Sequence, residues 1–129
     1  MGLDSCLYGT RYFVNRPSRD AAGELIVKAE VYELFCWRSH WNFHGYIVNT
    51  FAAGTDMEQE ITLDQEQLEQ LIGVVTANQL PLSADRRAFP RERTESETAQ
   101  DVTALREALA WLRVEEDGVM RTVYYRASW

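Results

Sequence analysis

Hydrophobic and polar residues alternate along three stretches of the chain, and this period of two predicts strands over residues 3–14, 24–36 and 119–127. The second stretch alternates most clearly. We expect one of its sides to lie in the core and the strand to pair antiparallel with the first. Glu33 interrupts the pattern, so we expect it at the rim of the sheet or buried opposite a cation such as Arg38. The expected core side of this strand carries Leu25, Val27, Ala29, Val31, Phe35 and Trp37.

A period of 3.6 residues replaces the alternation from Trp37 to Phe51 and predicts an amphipathic helix of aromatic composition. Both histidines of the protein, His40 and His44, lie in the middle of its apolar face. A polar atom on a buried face needs a partner inside the protein or serves a ligand. We therefore interpret the histidines first as core residues with internal hydrogen bonds, then as residues of a ligand pocket, and last as metal ligands.

Two further helices are predicted from their capping residues. Asp64 followed by Gln67, and Thr94 followed by Glu97, fit the capping box, in which two side chains bond to the first free backbone amides of a helix. Apolar residues recur at helical spacing after each cap. They are Leu68, Leu71, Ile72 and Val75 in the first of these helices, and Val102, Leu105, Leu109 and Leu112 in the second.

These patterns predict an α+β protein with a three-stranded, mainly antiparallel sheet and three helices packed on it. At 129 residues the chain is long enough to bury one core, so we expect a single domain over residues 1–129. Residues 52–60 are expected to form a loop or a short edge strand. The connection 79–93 has no periodicity and contains four arginines, which favour a solvated loop or, less strongly, an anion site: Arg86, Arg87, Arg91 and Arg93.

The chain has 20 acidic and 13 basic residues, and its net charge of -7 argues against a general nucleic-acid or anionic-membrane binder. An acidic surface that docks on a basic partner is compatible with it. The sequence shows neither a signal peptide nor an apolar run that spans a membrane, so we expect a cytoplasmic protein. We expect Cys6 and Cys36 to be two reduced, buried thiols; they can pair only if the first two strands lie side by side in register.

The residues that carry chemistry are few. His40 and His44 have the spacing of a metal chelate, but no third ligand lies close by in the sequence, and we predict neither a metal site nor a cofactor. We find no nucleophile motif and no glycine-rich phosphate loop. These observations favour a protein that is not an enzyme, and they leave catalysis by a histidine and a carboxylate open.

Three motifs carry a resemblance that touches nearly the whole chain. The start reads M-G-L-D-x-x-L-Y (residues 1–8), the centre reads W-R-x5-H-x-Y-x-V (residues 37–48), and the end reads Y-Y-x-A-S-W (residues 124–129). In this order the motifs resemble a family of short uncharacterised proteins of bacteriophages, prophages and plasmids. His40 has no counterpart in the family pattern, and residues 90–98 lack the tyrosines that the family carries there. The resemblance implies a genetic context and no reaction.

The resemblance also implies that the last strand lies beside the second and brings the tail near Trp37 and His44. Small acidic proteins of mobile elements often act by binding, so our leading hypothesis is an antidefence inhibitor of the anti-CRISPR type. Its partner is expected to be a host protein or defence complex with a nucleic-acid channel, without direct binding to nucleic acid. The residues expected to contact this partner are Asp56, Glu58, Glu60, Glu66, Glu69, Glu115, Glu116 and Asp117.

The alternative hypothesis is a protein that binds or sequesters a small polar or nucleotide-like ligand. Charge, hydrogen bonds and stacking would come from a pocket around Arg38 and His44. The residues expected to line it are Trp37, Arg38, His44, Tyr125 and Trp129.

Overall fold

A computed structural model of the protein describes residues 2–88 and 91–129; Met1 of the first family motif, and Phe89 and Pro90 of the arginine-containing connection, lie outside the described residues. None of the described helices is long and apolar enough to cross a membrane. In chain order the elements are β1 Asp4–Phe13, β2 Ala29–Arg38, α1 Trp41–Phe51, β3 Ile61–Leu63, α2 Gln65–Thr76, α3 Glu95–Arg113 and β4 Val119–Ser128.

The strands form one antiparallel sheet in the order β2-β1-β4-β3. The predicted α+β class with three helices is confirmed, but the prediction of three strands is wrong. The fourth strand, β3, is an edge strand of three residues, too short for an alternating pattern to reveal. The expectation that the last strand lies beside the second is also wrong, because β4 pairs with β1 and β3. β1 is an inner strand, and Leu3 just before it and Leu7 within it are fully buried.

A β-bulge in β2 changes which of its residues face the core. Leu7 pairs with Phe35 whereas Tyr8 pairs with Glu33, so Leu34 is an extra residue on β2. An inserted residue reverses the alternation on its far side. Trp37 is therefore buried, but Val31 on the other side of the bulge is 62% exposed. The predicted core side was wrong over this part of the strand and over Leu25 and Val27, which are exposed and precede β2.

Cys6 and Cys36 pair directly across β1 and β2, and a disulfide joins their sulfur atoms. The expectation of two reduced, buried thiols is therefore wrong. β1 and β2 lie side by side in the register that a disulfide between these two cysteines requires. Because Cys6 is adjacent to the buried Leu7, its side chain points to the opposite face of the sheet, away from the core. Both cysteines are only partly buried there.

The first helix begins at Trp41, four residues later than predicted, because Trp37 and Arg38 still belong to β2, where they pair with Ser5 and Asp4. Ser39 makes the turn between strand and helix with a φ of 54°, and its amide donates to the carbonyl of Leu3 at 2.7 Å. His40 then occupies the N-cap position. The turn lays α1 on the core face, where Phe43 packs edge-on against Tyr125.

Both predicted capping boxes are present. Asp64 accepts from the amide of Gln67 at 2.8 Å, and Thr94 accepts from the amide of Glu97 at 3.1 Å. The buried side chains of α2 are three of the four predicted, and those of α3 include two of the predicted leucines together with an unpredicted carboxylate. They are Leu68, Leu71 and Val75 in α2, and Asp101, Ala104, Leu105, Ala108 and Leu109 in α3.

Gly9 lets α3 approach the sheet, and its replacement tests this packing. A Cβ atom at Gly9 would lie 2.6 Å from the ring of Trp111, which Arg121 covers with its guanidinium 4.6 Å from the ring centroid. We expect Gly9→Ala to lower the free energy of unfolding by about 2 kcal/mol, measured by urea denaturation. The matched control is Gly73→Ala on α2, where a Cβ meets no atom within 4 Å. This control should raise stability by about 0.5 kcal/mol, and equal effects of both substitutions would contradict the packing.

Candidate functional site

A buried histidine joins three parts of the chain. His44 of α1 is 3% exposed; its Nδ1 lies 2.8 Å from the Tyr125 hydroxyl and its Nε2 lies 2.9 Å from Oδ2 of Asp56. An ionised carboxylate only accepts, so Nε2 carries the proton toward Asp56, and in the neutral ring Nδ1 accepts from the tyrosine. Burial raises the pKa of Tyr125 well above its usual range, which keeps the phenol protonated as a donor. His44 therefore has no ring nitrogen left for a ligand.

Aromatic rings and one arginine cover His44. The His44 ring centroid lies 5.8 Å from that of Trp129 and 6.0 Å from that of Trp41. The guanidinium of Arg87 lies 5.2 Å from the Trp41 ring and 5.1 Å from the Trp129 ring, in range of a cation–π contact with both. Arg87 is itself held by two hydrogen bonds to Asp85, at 2.9 and 2.8 Å. These bonds lower the pKa of Asp85 to about 2, so the pair stays charged at neutral pH.

The same cluster anchors the loop between α1 and β3. Asp56 is bound to His44, and the backbone amide of Trp129 donates to Glu58 Oε1 at 3.2 Å. Gln59 braces the loop from within, because its side chain donates to the carbonyl of Thr55 at 2.6 Å and accepts from the amide of Met57 at 2.8 Å. The loop is thus fixed to the core at one point and to the end of β4 at another.

This loop opens an acidic segment, residues 56–69, in which we include β3 and the first turns of α2. Residues 39–85 contain seven Asp and Glu and no Lys or Arg, and the rest of the chain contains 13 of each sign. The whole net charge of -7 therefore arises within residues 39–85, and six of its seven acids lie in the acidic segment. The exposed acids of the segment are Glu58, Glu60, Asp64, Glu66 and Glu69.

These acids differ in how far they are neutralised. Glu69 forms a salt bridge with Arg113 of α3. Asp64 caps α2 and accepts from a backbone amide. Glu60 and Glu66, in contrast, form no salt bridge with any Lys or Arg in residues 2–88 and 91–129. An exposed apolar side chain, Met57 at 74% exposure, lies among them in sequence. The acidic segment thus combines uncompensated charge with an apolar side chain on a fixed backbone.

A second buried cluster surrounds Asp101, which is 2% exposed. Its Oδ1 accepts from the Trp37 indole at 2.8 Å and from Arg93 at 2.7 Å. Nε2 of His40 lies 3.3 Å from Oδ2, but its angles miss those of a hydrogen bond. Burial alone would raise the pKa of Asp101, yet the polar contacts from His40, Arg93 and Trp37 outweigh burial and hold the pKa below its ordinary value. The cluster ties α3 to the end of β2 and to the start of α1.

The arginines of residues 79–93 are largely neutralised within the protein. Arg87 pairs with Asp85, Arg91 pairs with Glu97 at 2.9 Å, and Arg93 pairs with Asp101. Each of these guanidinium groups is already opposite a carboxylate, so the geometry favours the solvated, self-paired loop over an anion site.

The predicted ligand-binding residues separate into two groups. His44, Tyr125 and Trp129 meet in one cluster. Trp37 is buried and directs its indole N–H to Asp101. Arg38 is 91% exposed at the end of β2 and lies 3.5 Å from Asp4, so the structure does not bring it to the histidine.

The remaining predicted partner-binding residues lie between α3 and β4. Glu115, Glu116 and Asp117 are exposed there. Glu116 is engaged by Arg11 at 3.0 Å and by Arg121 at 3.3 Å, and the hydrogen bonds from Arg11 contribute most to lowering its pKa. This acid therefore stabilises the link between β1 and β4 and contributes little free charge to a docking surface.

Sequence reasoning missed Trp41, Asp85, Arg87 and Asp101 as members of these clusters. Asp101 had a usable signal, because it lies four residues before Leu105 on the apolar stripe of α3, and a carboxylate on such a stripe requires a buried partner. Asp85 and Arg87 had none, since they lie in a stretch without periodicity and Arg87 meets the Trp41 and Trp129 rings only in the folded chain.

The Asp101 cluster predicts a pH-dependent loss of stability. The folded-state pKa of Asp101 lies below its ordinary value of 3.8, so its contribution is complete above about pH 4 and is lost as pH falls through the folded pKa. We expect Asp101→Asn to lower the free energy of unfolding by about 3 kcal/mol at pH 7, because Arg93 loses its buried counter-charge. Urea denaturation should show this difference shrinking below pH 4. The control, Glu107→Gln on the exposed side of α3, should show no difference at either pH.

Trp129 is expected to stabilise the fold by covering His44. Replacing it with alanine removes a half-buried indole and one of the two rings that Arg87 contacts. We expect the free energy of unfolding to fall by about 2 kcal/mol and the melting temperature by about 6 °C. Thermal denaturation followed by circular dichroism measures the change. Arg126→Ala, an exposed side chain on the same strand, is the control and should melt with the unsubstituted protein. A Trp129→Ala variant of unchanged melting temperature would show that the indole does not support the core.

No family model, curated protein or solved structure matches this chain.

Proposed function

We propose that the protein acts by binding, as an accessory protein of a mobile element that inhibits a host nucleic-acid-handling complex in the manner of an anti-CRISPR protein. The observation that carries the proposal is the segregation of charge. All of the net charge arises in residues 39–85, and exposed carboxylates of the acidic segment lie unpaired beside a fixed loop. The genetic context comes from the resemblance to phage, prophage and plasmid proteins.

The proposed mechanism is electrostatic competition with nucleic acid. A channel that binds nucleic acid is lined with Lys and Arg, and a row of carboxylates on a protein surface can occupy it in place of phosphates. In this protein the exposed carboxylates of Glu58 and Glu60 lie in the loop, and that of Glu66 lies in the first turn of α2. Because the loop is already bound to His44 and Trp129, little conformational entropy is lost when it docks. Met57 supplies an apolar contact within the same surface.

The small-ligand alternative has less support from the geometry. Both ring nitrogens of His44 are bonded inside the protein, and the Tyr125 hydroxyl is bonded to one of them. Arg38, the proposed charge of that pocket, lies at the end of β2 beside Asp4. For the same reason catalysis by His44 has little support, since the ring is buried and its carboxylate partner is an internal one.

Charge reversal tests the docking surface. The variant Glu58→Lys, Glu60→Lys, Glu66→Lys should bind the purified host complex at least about 30-fold more weakly, because about 2 kcal/mol of charge complementarity is lost. The salt dependence of binding should flatten as well. Affinity at several salt concentrations is the measurement, on the complex recovered by pull-down from host lysate during phage infection.

The matched control reverses three exposed acids elsewhere, Glu24, Glu92 and Glu107, which changes the net charge by the same amount. Its affinity for the complex should lie within about threefold of that of the unsubstituted protein, because only the long-range effect of the net charge changes. Equal loss in both variants would show that net charge rather than the acidic segment is responsible. Tight binding of the unsubstituted protein to bare DNA would contradict the proposed mechanism.

A further inference from the structure

Three donor groups that the proposed function does not use meet on the sheet face away from the core. They are the sulfur atoms of Cys6 and Cys36 and the carboxylate of Glu33, and one donor atom from each lies within 4.8 Å of the others. Glu33 is exposed, and both cysteines are partly buried. Two sulfurs and a carboxylate are ligands that Zn²⁺ takes in proteins.

The bulge in β2 creates this arrangement. In a regular strand, residues 33 and 36 are three apart and point to opposite faces of the sheet. The extra residue at Leu34 turns Glu33 to the same face as Cys36. Bulges of this kind often re-aim a side chain at a functional site. Without the bulge, the carboxylate would point into the core and away from the sulfurs.

Within residues 2–88 and 91–129, no group with a proton to donate is hydrogen-bonded to the Glu33 carboxylate in the oxidised protein. Glu33 Oε1 lies 2.6 Å from Sγ of Cys36, and a disulfide sulfur carries no proton to donate. Among the described residues, Glu33 forms no salt bridge with a Lys or Arg that would explain its position. An anionic oxygen beside two sulfurs is instead the ligand set of a thiophilic cation.

We propose that, once reduced, Cys6, Cys36 and Glu33 bind one Zn²⁺ ion. Reduction transfers two electrons and two protons from a dithiol to the Cys6–Cys36 bond, giving two thiols, and the dithiol becomes a disulfide. Binding of the cation then releases the two thiol protons and forms two metal–thiolate bonds and one metal–carboxylate bond. Three protein ligands leave one tetrahedral position for water or for a donor from a partner. A reducing cytosol, where thiols are kept reduced, is the environment in which this site would exist.

The donor set selects the metal. Thiolates bind Zn²⁺ strongly and bind Mg²⁺ and Ca²⁺ poorly, since the latter prefer oxygen ligands. Metal–sulfur and metal–oxygen distances of about 2.3 and 2.0 Å bring tetrahedral donors within about 4 Å of each other. One donor atom from each residue lies within 4.8 Å of the others, and once the S–S bond is broken, rotation about the Cα–Cβ bonds can separate the sulfurs toward that spacing.

Cobalt titration tests the site on the full chain. The protein is reduced with a phosphine, freed of the phosphine under anaerobic conditions and titrated with Co²⁺, then with Zn²⁺. We expect thiolate-to-cobalt absorption that saturates at one metal per chain, release of two protons per metal, and loss of the absorption when Zn²⁺ displaces Co²⁺. The oxidised protein should show none of these signals.

The substitution Glu33→Gln removes the proposed carboxylate ligand and leaves both cysteines in place, so it distinguishes a metal site with three protein ligands from one with two. It should weaken Co²⁺ binding at least about tenfold, whereas Asp4→Asn, a nearby carboxylate on the same face of β1, should leave the affinity unchanged. A reduced protein that gives no cobalt spectrum overturns the proposal, whether it stays folded or unfolds and is not refolded by Zn²⁺. Equal affinity of Glu33→Gln and the unsubstituted protein also overturns it, as does equal binding by the oxidised protein.

Discussion

The hydrogen bonds of His44 are the interaction on which the arrangement of this protein most depends. One imidazole ring connects a helix, the last strand and the loop before the edge strand, through Tyr125 on one side and Asp56 on the other. A buried imidazole with an unsatisfied nitrogen would cost about 1–3 kcal/mol. The two partners remove that cost, and in doing so they define where the acidic loop leaves the core. The cover formed by Trp129, Trp41 and Arg87 keeps water from competing for these bonds.

Charge is distributed unevenly around this anchor. Arg87, Arg91 and Arg93 before α3 are paired with Asp85, Glu97 and Asp101, so these three arginines add little net positive field. Glu60 and Glu66 are exposed, and neither forms a salt bridge with a Lys or Arg in residues 2–88 and 91–129. A surface of one sign on a preorganised backbone suits recognition of an oppositely charged partner better than it suits general solubility. Asp56 and Glu58 thus hold the loop, at His44 and at the backbone of Trp129 respectively, while Glu60 keeps its carboxylate free for the binding role that we propose.

The bulge in β2 has two consequences on opposite faces of the sheet. On the core face it brings Phe35 and Trp37 inward and leaves Val31 outside. On the outer face it aligns Glu33 with the cysteine pair. The same inserted residue therefore lets Trp37 face Asp101 on the core side and lets Glu33 face the cysteines, as the proposed metal site requires, on the outer side.

Local sequence determined the features that depend on neighbouring residues. The capping boxes at Asp64 and Thr94, the apolar stripe of α2, the alternation of the last strand and the burial of both histidines were predicted because propensity, capping and periodicity act over a few residues. The α+β class followed from the same signals. The acidic residues of the loop were also visible, because charge is a property of composition.

Only the tertiary structure decided the features that join distant residues. The bulge at Leu34 and the pairing of Cys6 with Cys36 follow from strand register, which no single strand encodes. The three-residue β3 exists because β4 offers it an edge. The partners of His44 and Asp101 lie 12 to 81 and 8 to 64 residues away along the chain, respectively. The composition of α1 showed that His44 needed partners inside the protein. The identity of those partners depended on which strands and loops the fold brought together, because buried polar groups are satisfied by proximity in space and not in sequence.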